Sequence, residues 1–179
     1  MIRLGRGTWK GHVLRPAFKC RPTTSRVREA VLDILGPGWM EGRRVWDLYA
    51  GSGAMGLEAL GCGAARAAFV DINPKACSLI RGFLRQRGAL DRALILRGDV
   101  RRHLDGIGFA PDLVFADPPY DDGAAYEWLA LRPWNAILQP GGRVFVEAGP
   151  GTEMPGWRRR SYGGTLLFEL QTGREAEQG

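Results

Sequence analysis

Asp117-Pro118-Pro119-Tyr120 is the stretch whose residue types point most directly to chemistry. It follows Leu113-Val114-Phe115-Ala116, an apolar run that reads as a buried strand, so an acid, two prolines and an aromatic ring stand where a strand runs out into a loop. The prolines carry no N–H, so the turn offers carbonyl oxygens without competing donors from those two residues. Asp117 adds an acceptor-only carboxylate and Tyr120 a flat face. Together they make a receptor for a planar group bearing an –NH2, such as a nucleobase with an exocyclic amine. A rigid strand-end turn without chemistry uses the same letters, since Pro and Asp are ordinary turn residues. The rest of the chain has to decide between the two.

A second cluster lies upstream. Gly51-Ser52-Gly53-Ala54-Met55-Gly56 follows the strand-like Val45–Ala50 and opens a helix, and Asp71 comes twenty residues after Gly51 at the end of the next strand. This satisfies the dinucleotide-binding pattern, so a hydride-transferring dehydrogenase is a rival reading. Three features count against it. Asp47 interrupts a strand that is usually apolar throughout in dinucleotide sites. The histidines, His12 and His103, lie away from the strand ends, where a proton donor is needed. That reading also leaves Asp117–Tyr120 without a role. S-adenosylmethionine, with a ribose, an adenine and an amino-acid end but no pyrophosphate, fits better. Gly51, Ser52, Gly53 and Gly56, with Asp47 beside them, would let the backbone close on its methionine part. Asp71 would accept from the ribose hydroxyls. Asp99, after the third strand, would accept from the adenine amine, or else cap a helix.

These residues need elements to position them. From Arg44 the chain alternates strand, turn and helix: Val45–Ala50, a helix to about Cys62, Ala67–Val70, a helix from Pro74 to about Arg87, Ala93–Leu96, a short helical piece at Val100–Leu104, and Leu113–Ala116. Ala124–Leu138 reads as helix, kinked or split by Pro133, and Arg143–Glu147 is a fifth strand. Trp157–Tyr162 and Thr165–Gln171 read as a hairpin across Gly163-Gly164. Upstream, residues 2–19 are a short extended segment or hairpin broken at Gly5, Gly7 and Gly11. Pro22-Thr23-Thr24 then starts a helix capped by Thr24 or Ser25. The pattern predicts an α/β fold with a mostly parallel sheet covered on both faces and an antiparallel hairpin at its end. Ligands in such sheets bind at the carboxyl ends of the strands near the topological switch point, where the glycine turn, Asp71, Asp99 and Asp117 all fall. We expect one domain: a basic extension and helix (1–38), the core (39–172) and a tail (173–179).

Charge suggests the partner. The formal net charge is +6, and residues 1–28 hold Arg3, Arg6, Lys10, Arg15, Lys19, Arg21, Arg26 and Arg28 before the first acid, Glu29. Trp9 and Phe18 are interleaved with them, an arrangement suited to a polyanion with stackable bases. A solvated arm in an Arg-rich chain would look the same. Arg158-Arg159-Arg160 reads as a solvated strand edge. Cys20, Cys62 and Cys77 are odd in number and lack C-x-x-C spacing, which argues against a disulfide framework or zinc site and for a reducing cytoplasm. No apolar run reaches the length of a membrane span and no signal-peptide pattern opens the chain.

The run Asp47–Leu60 followed by Asp117–Tyr120 resembles class I methyltransferases that act on exocyclic amines. Gly7-Thr8-Trp9-Lys10-Gly11 and Arg21–Glu29 narrow the likeness to the bacterial small-subunit (16S) rRNA guanine-N2 methyltransferases, which modify the guanine numbered 966. The match runs from about Ile2 to Gln171, with two departures: Asp71 stands where Glu is common, and the loop around Pro150–Pro155 is compressed. The resemblance implies a Rossmann-like, seven-stranded fold with neighbouring first and fourth strands, and S-adenosylmethionine as cofactor with no metal. It implies Asp117, Pro118, Pro119 and Tyr120 as catalytic residues. Arg3, Arg6, Lys10, Arg15, Arg21, Arg26 and Arg28 would hold rRNA or a subunit assembly intermediate, bound by a monomer. Runner-up readings are a DNA adenine-N6 methyltransferase, for which a target-recognition segment is missing, and a non-catalytic RNA-binding module.

Overall fold

A computed structural model describes residues 1–18 and 25–173. The N-terminal extension is a small antiparallel pair, β1 (Ile2–Arg3) and β2 (Val13–Leu14), followed by α1 (Ser25–Leu35). Then come β3 (Arg44–Leu48), α2 (Ala54–Gly61), β4 (Arg66–Asp71), α3 (Pro74–Gln86), β5 (Ala93–Arg97), α4 (Val100–His103) and β6 (Leu113–Ala116). The chain finishes with α5 (Gly123–Ala130), α6 (Trp134–Ile137), β7 (Arg143–Ala148), β8 (Arg158–Tyr162) and β9 (Thr165–Gln171).

The large sheet has seven strands in the order β5-β4-β3-β6-β7-β9-β8. β3 to β7 pair in parallel, while β9 is antiparallel to both β7 and β8. β3 pairs with β4 on one side and β6 on the other, so the chain reverses its direction of travel across the sheet at the β3–β6 junction. Side chains alternate between two cores. Val45, Phe69, Phe115 and Phe145 pack with α1, α2 and α3, whereas Trp46, Val70, Val114 and Val144 pack with α4, α5 and α6. Both faces are therefore covered, which is why these strands are written as near-continuous apolar runs.

Local chemistry sets the boundaries. Asn73 caps α3 by accepting from the Lys75 N–H (2.9 Å), with Pro74 in the first turn. Pro133 splits the expected Ala124–Leu138 helix into α5 and α6. Gly163 and Gly164 both adopt positive φ (58° and 88°), as a tight two-residue turn between β8 and β9 requires. β3 ends two residues earlier than its sequence suggests, because Tyr49 turns into the left-handed region at φ 58°. The Pro22-Thr23-Thr24 helix start lies outside the described residues, and Ser25 is the first residue of α1. β8 is the sheet edge, and its exposed Arg158 and Arg159 keep that edge charged. Among the described residues no helix is long and apolar enough to cross a membrane.

Candidate active site

The strand ends on either side of the β3–β6 junction open into a cleft of about 580 Å³. Gly51, Asp71, Asp99, Asp117, Pro119 and Tyr120 are among its lining residues. Two sequence clusters far apart in the chain thus share one crevice, because β3 and β6 are neighbours in register, Leu48 beside Ala116. The Asp117 N–H extends that ladder by donating to the Leu48 carbonyl (3.3 Å), which fixes the start of the motif against the glycine turn.

Asp71 is held by the backbone around it. One carboxylate oxygen accepts from the Gly51 N–H and the other from the Asn73 N–H, both at 2.7 Å. Each oxygen has a second lone pair to offer a hydroxyl. Asp99 takes the capping role and stands at the cleft. It caps α4 by accepting from the Arg101 N–H (2.9 Å), pairs with the Arg101 guanidinium (3.1 Å), and lines the cleft. The Arg101 hydrogen bonds hold its carboxyl below the usual range.

Asp47 is enclosed. It is 2% exposed, and its carboxyl oxygen accepts from the Gly56 N–H at 2.8 Å, so it braces the glycine turn from behind. Ser52 is buried in the same turn. The glycines divide by function. Gly51 faces the cleft. Gly53 and Gly56 face the core: a Cβ on Gly53 would lie 2.5 Å from Ile80 Cγ1, and one on Gly56 would lie 2.4 Å from Phe69 Cε1. Their missing side chains admit core side chains rather than a ligand.

Tyr120 is 36% exposed and presents its ring to the cleft. Pro118 is turned inward: its carbonyl accepts from the buried Tyr126 hydroxyl (3.3 Å), which occupies one of its two lone pairs. Residues not singled out in the sequence also line the cleft, namely Tyr49, Ile72 and Val100. Ile72 is 72% exposed, an unusual setting for a large aliphatic residue, and its place directly after Asp71 was the available signal.

The basic arm is only partly a surface. Arg3, Lys10, Arg15 and Arg26 are exposed, and Arg6 pairs with Asp33 (2.5 Å). Arg21 lies outside the described residues. The expectation that Arg28 contacts RNA is corrected. Arg28 is 2% exposed, faces the buried Glu58 carboxylate (3.7 Å) and donates to the Arg3 carbonyl (3.0 Å). Its side chain ties α1 to α2 and to the N-terminal strand pair, and a phosphate cannot reach it there. Trp9 is likewise spent on packing, edge-on to Phe83 (5.5 Å), while Phe18 lines the cleft.

The sequence of residues 2–167 matches the family described as "Conserved hypothetical protein 95". The chain belongs to this family. It is 30% identical to ribosomal RNA small subunit methyltransferase D of Escherichia coli K12, over 98% of this chain and 91% of that protein. It is 32% identical to YlbH of Bacillus subtilis, whose name gives rRNA methylation as a provisional role, over 86% of each chain. A solved structure of a hypothetical protein of Thermus thermophilus superposes with a TM-score of 0.82 at 28% identity, covering 96% of this chain and 100% of that one. The fold is that of the Rossmann-like class I methyltransferases, and the cofactor of this class is S-adenosylmethionine.

The cleft fits that cofactor. Asp71, Asp99, Asp117 and Asp122 line it, and among the described residues Arg101 is the cationic side chain at its wall, already paired with Asp99. An acceptor-rich wall suits hydroxyls, an amine and a sulfonium, and repels a pyrophosphate.

Proposed function

We propose that the protein methylates the exocyclic N2 amine of a guanine in small-subunit rRNA. The observation that carries this reading is the meeting of Asp117–Tyr120 with the Gly51 turn and Asp71 in one cleft. The names of the relatives support rRNA as the substrate.

S-adenosylmethionine supplies a methyl group that is already electrophilic on its sulfonium. The task left to the protein is the nucleophile, since the guanine N2 lone pair is delocalised into the ring. Asp71 would hold the ribose hydroxyls of the cofactor and Asp99 its adenine amine, with Ile72 and Val100 as apolar walls. The Asp117 carboxylate would accept one amine hydrogen, and the second lone pair of the Pro118 carbonyl the other. Pro119 stiffens the turn, and Tyr120 would stack on the base. Held this way, the nitrogen faces the methyl group, and Asp117 lies beside the proton that the nitrogen must lose. The gain is positioning together with stabilisation of the charge developing on nitrogen. The guanine must enter unstacked, with its edge read in the pocket.

Arg3, Arg6, Lys10, Arg15 and Arg26 would hold phosphates beside the cleft, an affinity that depends on salt and little on sequence. In an assay with rRNA-containing particles, Asp117→Ala should bind S-adenosylmethionine normally by calorimetry while methyl transfer falls by roughly a hundredfold or more. Full transfer in that variant would remove Asp117 from the reaction. Mapping methylated nucleotides in rRNA from cells with and without the protein tests the base: an unchanged guanine-N2 signal defeats the reading.

A further inference from the structure

We infer that Glu147 and Thr165 are positioning residues for the target base and act through Tyr120. This rests on the proposed role of Tyr120 as the surface on which the base stacks.

Glu147 lies in β7 and is 1% exposed. Its strand neighbours are apolar on both sides of the sheet, and an aliphatic residue would pack there without carrying a carboxyl out of water. A carboxyl in such a place needs a polar partner, and the structure supplies one from the catalytic motif. The Tyr120 hydroxyl donates to Glu147 Oε1 (3.3 Å) and lies 3.2 Å from the Thr165 hydroxyl, from which it can accept. Thr165 opens β9 and is itself buried. Two adjacent strands of the sheet thus hold the far end of the tyrosine.

The ring is held elsewhere too. The Gly149 backbone lies against it: a Cβ there would stand 2.8 Å from both Cγ and Cδ2 of Tyr120. Behind the motif, the Tyr126 hydroxyl reaches both the Pro118 carbonyl (3.3 Å) and the Glu147 carbonyl (3.5 Å), tying the Asp-Pro-Pro-Tyr turn to the same stretch of β7. Hydroxyl, ring edge and turn are therefore fixed before any base arrives, while part of the ring stays exposed to the cleft. A platform ordered in advance spares the binding step the ordering of a rotatable aromatic side chain and keeps the amine in line with Asp117.

The test is a double-mutant cycle on rRNA methylation, with cofactor affinity measured in parallel by calorimetry. Tyr120→Phe and Glu147→Leu should each lower kcat/KM for RNA by about tenfold, within the range that misplacement of a reacting group produces. S-adenosylmethionine affinity should stay unchanged in both. Glu147→Gln keeps an acceptor oxygen and should restore most of the activity. The double variant Tyr120→Phe/Glu147→Leu should be no worse than either single one. Should Glu147→Leu fail to fold, Thr165→Val completes the same cycle with Tyr120→Phe. Losses that multiply in the double variant, or cofactor affinity that falls in step with activity, would overturn the inference. A wild-type protein that transfers no methyl group to rRNA would defeat the functional reading instead. The positioning is then read from the NMR signals of a 13C-labelled Tyr120 ring, which should report one fixed ring environment in the wild type and an averaged one in Glu147→Leu. Identical spectra would overturn it.

Discussion

Asp47 carries its carboxyl into an enclosed space behind the glycine turn, with the Gly56 N–H as its donor. Burial pushes its pKa from the ordinary 3.8 up to about 8 against the pull of the Gly56 hydrogen bond, and the nearby Asp117 and Asp71 push the same way. The folded protein therefore keeps a proton that the unfolded chain releases. Because the native state binds more protons across this window, the contribution of Asp47 to stability is full below about pH 4, falls as pH rises toward about 8, and is level beyond it. Asp47→Asn removes the titration and keeps an oxygen for Gly56. Urea midpoints measured from about pH 4 to about pH 9 should fall less steeply with pH in this variant than in the wild type. The difference scales at about 1.4 kcal/mol per unit of displacement. Parallel profiles would show that Asp47 does not titrate in this window. The acid itself was visible in the sequence as an interruption of an apolar strand, but its enclosure was not.

At the scale of elements, the turn between β3 and α2 packs against the core through Gly53 and Gly56 and lines the cleft through Gly51. Gly51 and Gly53 have positive φ (54° and 74°), which favours glycine at both, but Gly56 is helical and is needed for space alone. Gly56→Ala brings a residue of better helix propensity, worth about 1 kcal/mol. Its Cβ would meet Phe69 at 2.4 Å and crowd the Asp47 carboxyl group at 3.1 Å. Overpacking of that kind costs about 1–3 kcal/mol, so the variant should melt at lower temperature in calorimetry despite its helix preference. The alternation of strands and helices, the Gly163-Gly164 hairpin and the split at Pro133 were legible, because period, glycine pairs and proline act locally. The early end of β3 was not. Val45–Ala50 is apolar enough to continue as strand, and the departure at Tyr49 follows from the tertiary placement of the turn.

Across the whole molecule, cations that look alike in the sequence do different work. Lys10 and Arg15 are exposed on the N-terminal arm, whereas Arg28 is locked against Glu58 between α1 and α2. Replacing Lys10 or Arg15 by Ala should weaken RNA binding and lower the slope of log affinity against log salt by about one for each phosphate that is no longer neutralised. Arg28→Ala should leave that slope alone. It should instead destabilise the fold by about 3–5 kcal/mol, as removing one partner of a buried ion pair does. Filter binding across a salt series and urea unfolding separate the two outcomes, and a changed slope in Arg28→Ala would return that residue to the RNA surface.

The sequence by itself determined what local order can carry: the βα alternation, the strand-end positions of Asp71, Asp99 and Asp117, the acceptor-rich chemistry of Asp117–Tyr120 and the positive N-terminal arm. The tertiary structure decided everything that depends on which elements become neighbours. Pairing of β3 with β6 set the Gly51 turn beside Asp117, and the antiparallel return of β9 onto β7 brought Thr165 and Glu147 to the Tyr120 hydroxyl. Packing across the helix layer turned Arg28, Gly53, Gly56 and Trp9 inward while Phe18 stayed at the cleft. Residue type limits what a side chain can do, but burial and partner choose among those possibilities, and both are set by residues that are far apart in the chain and meet only when it folds.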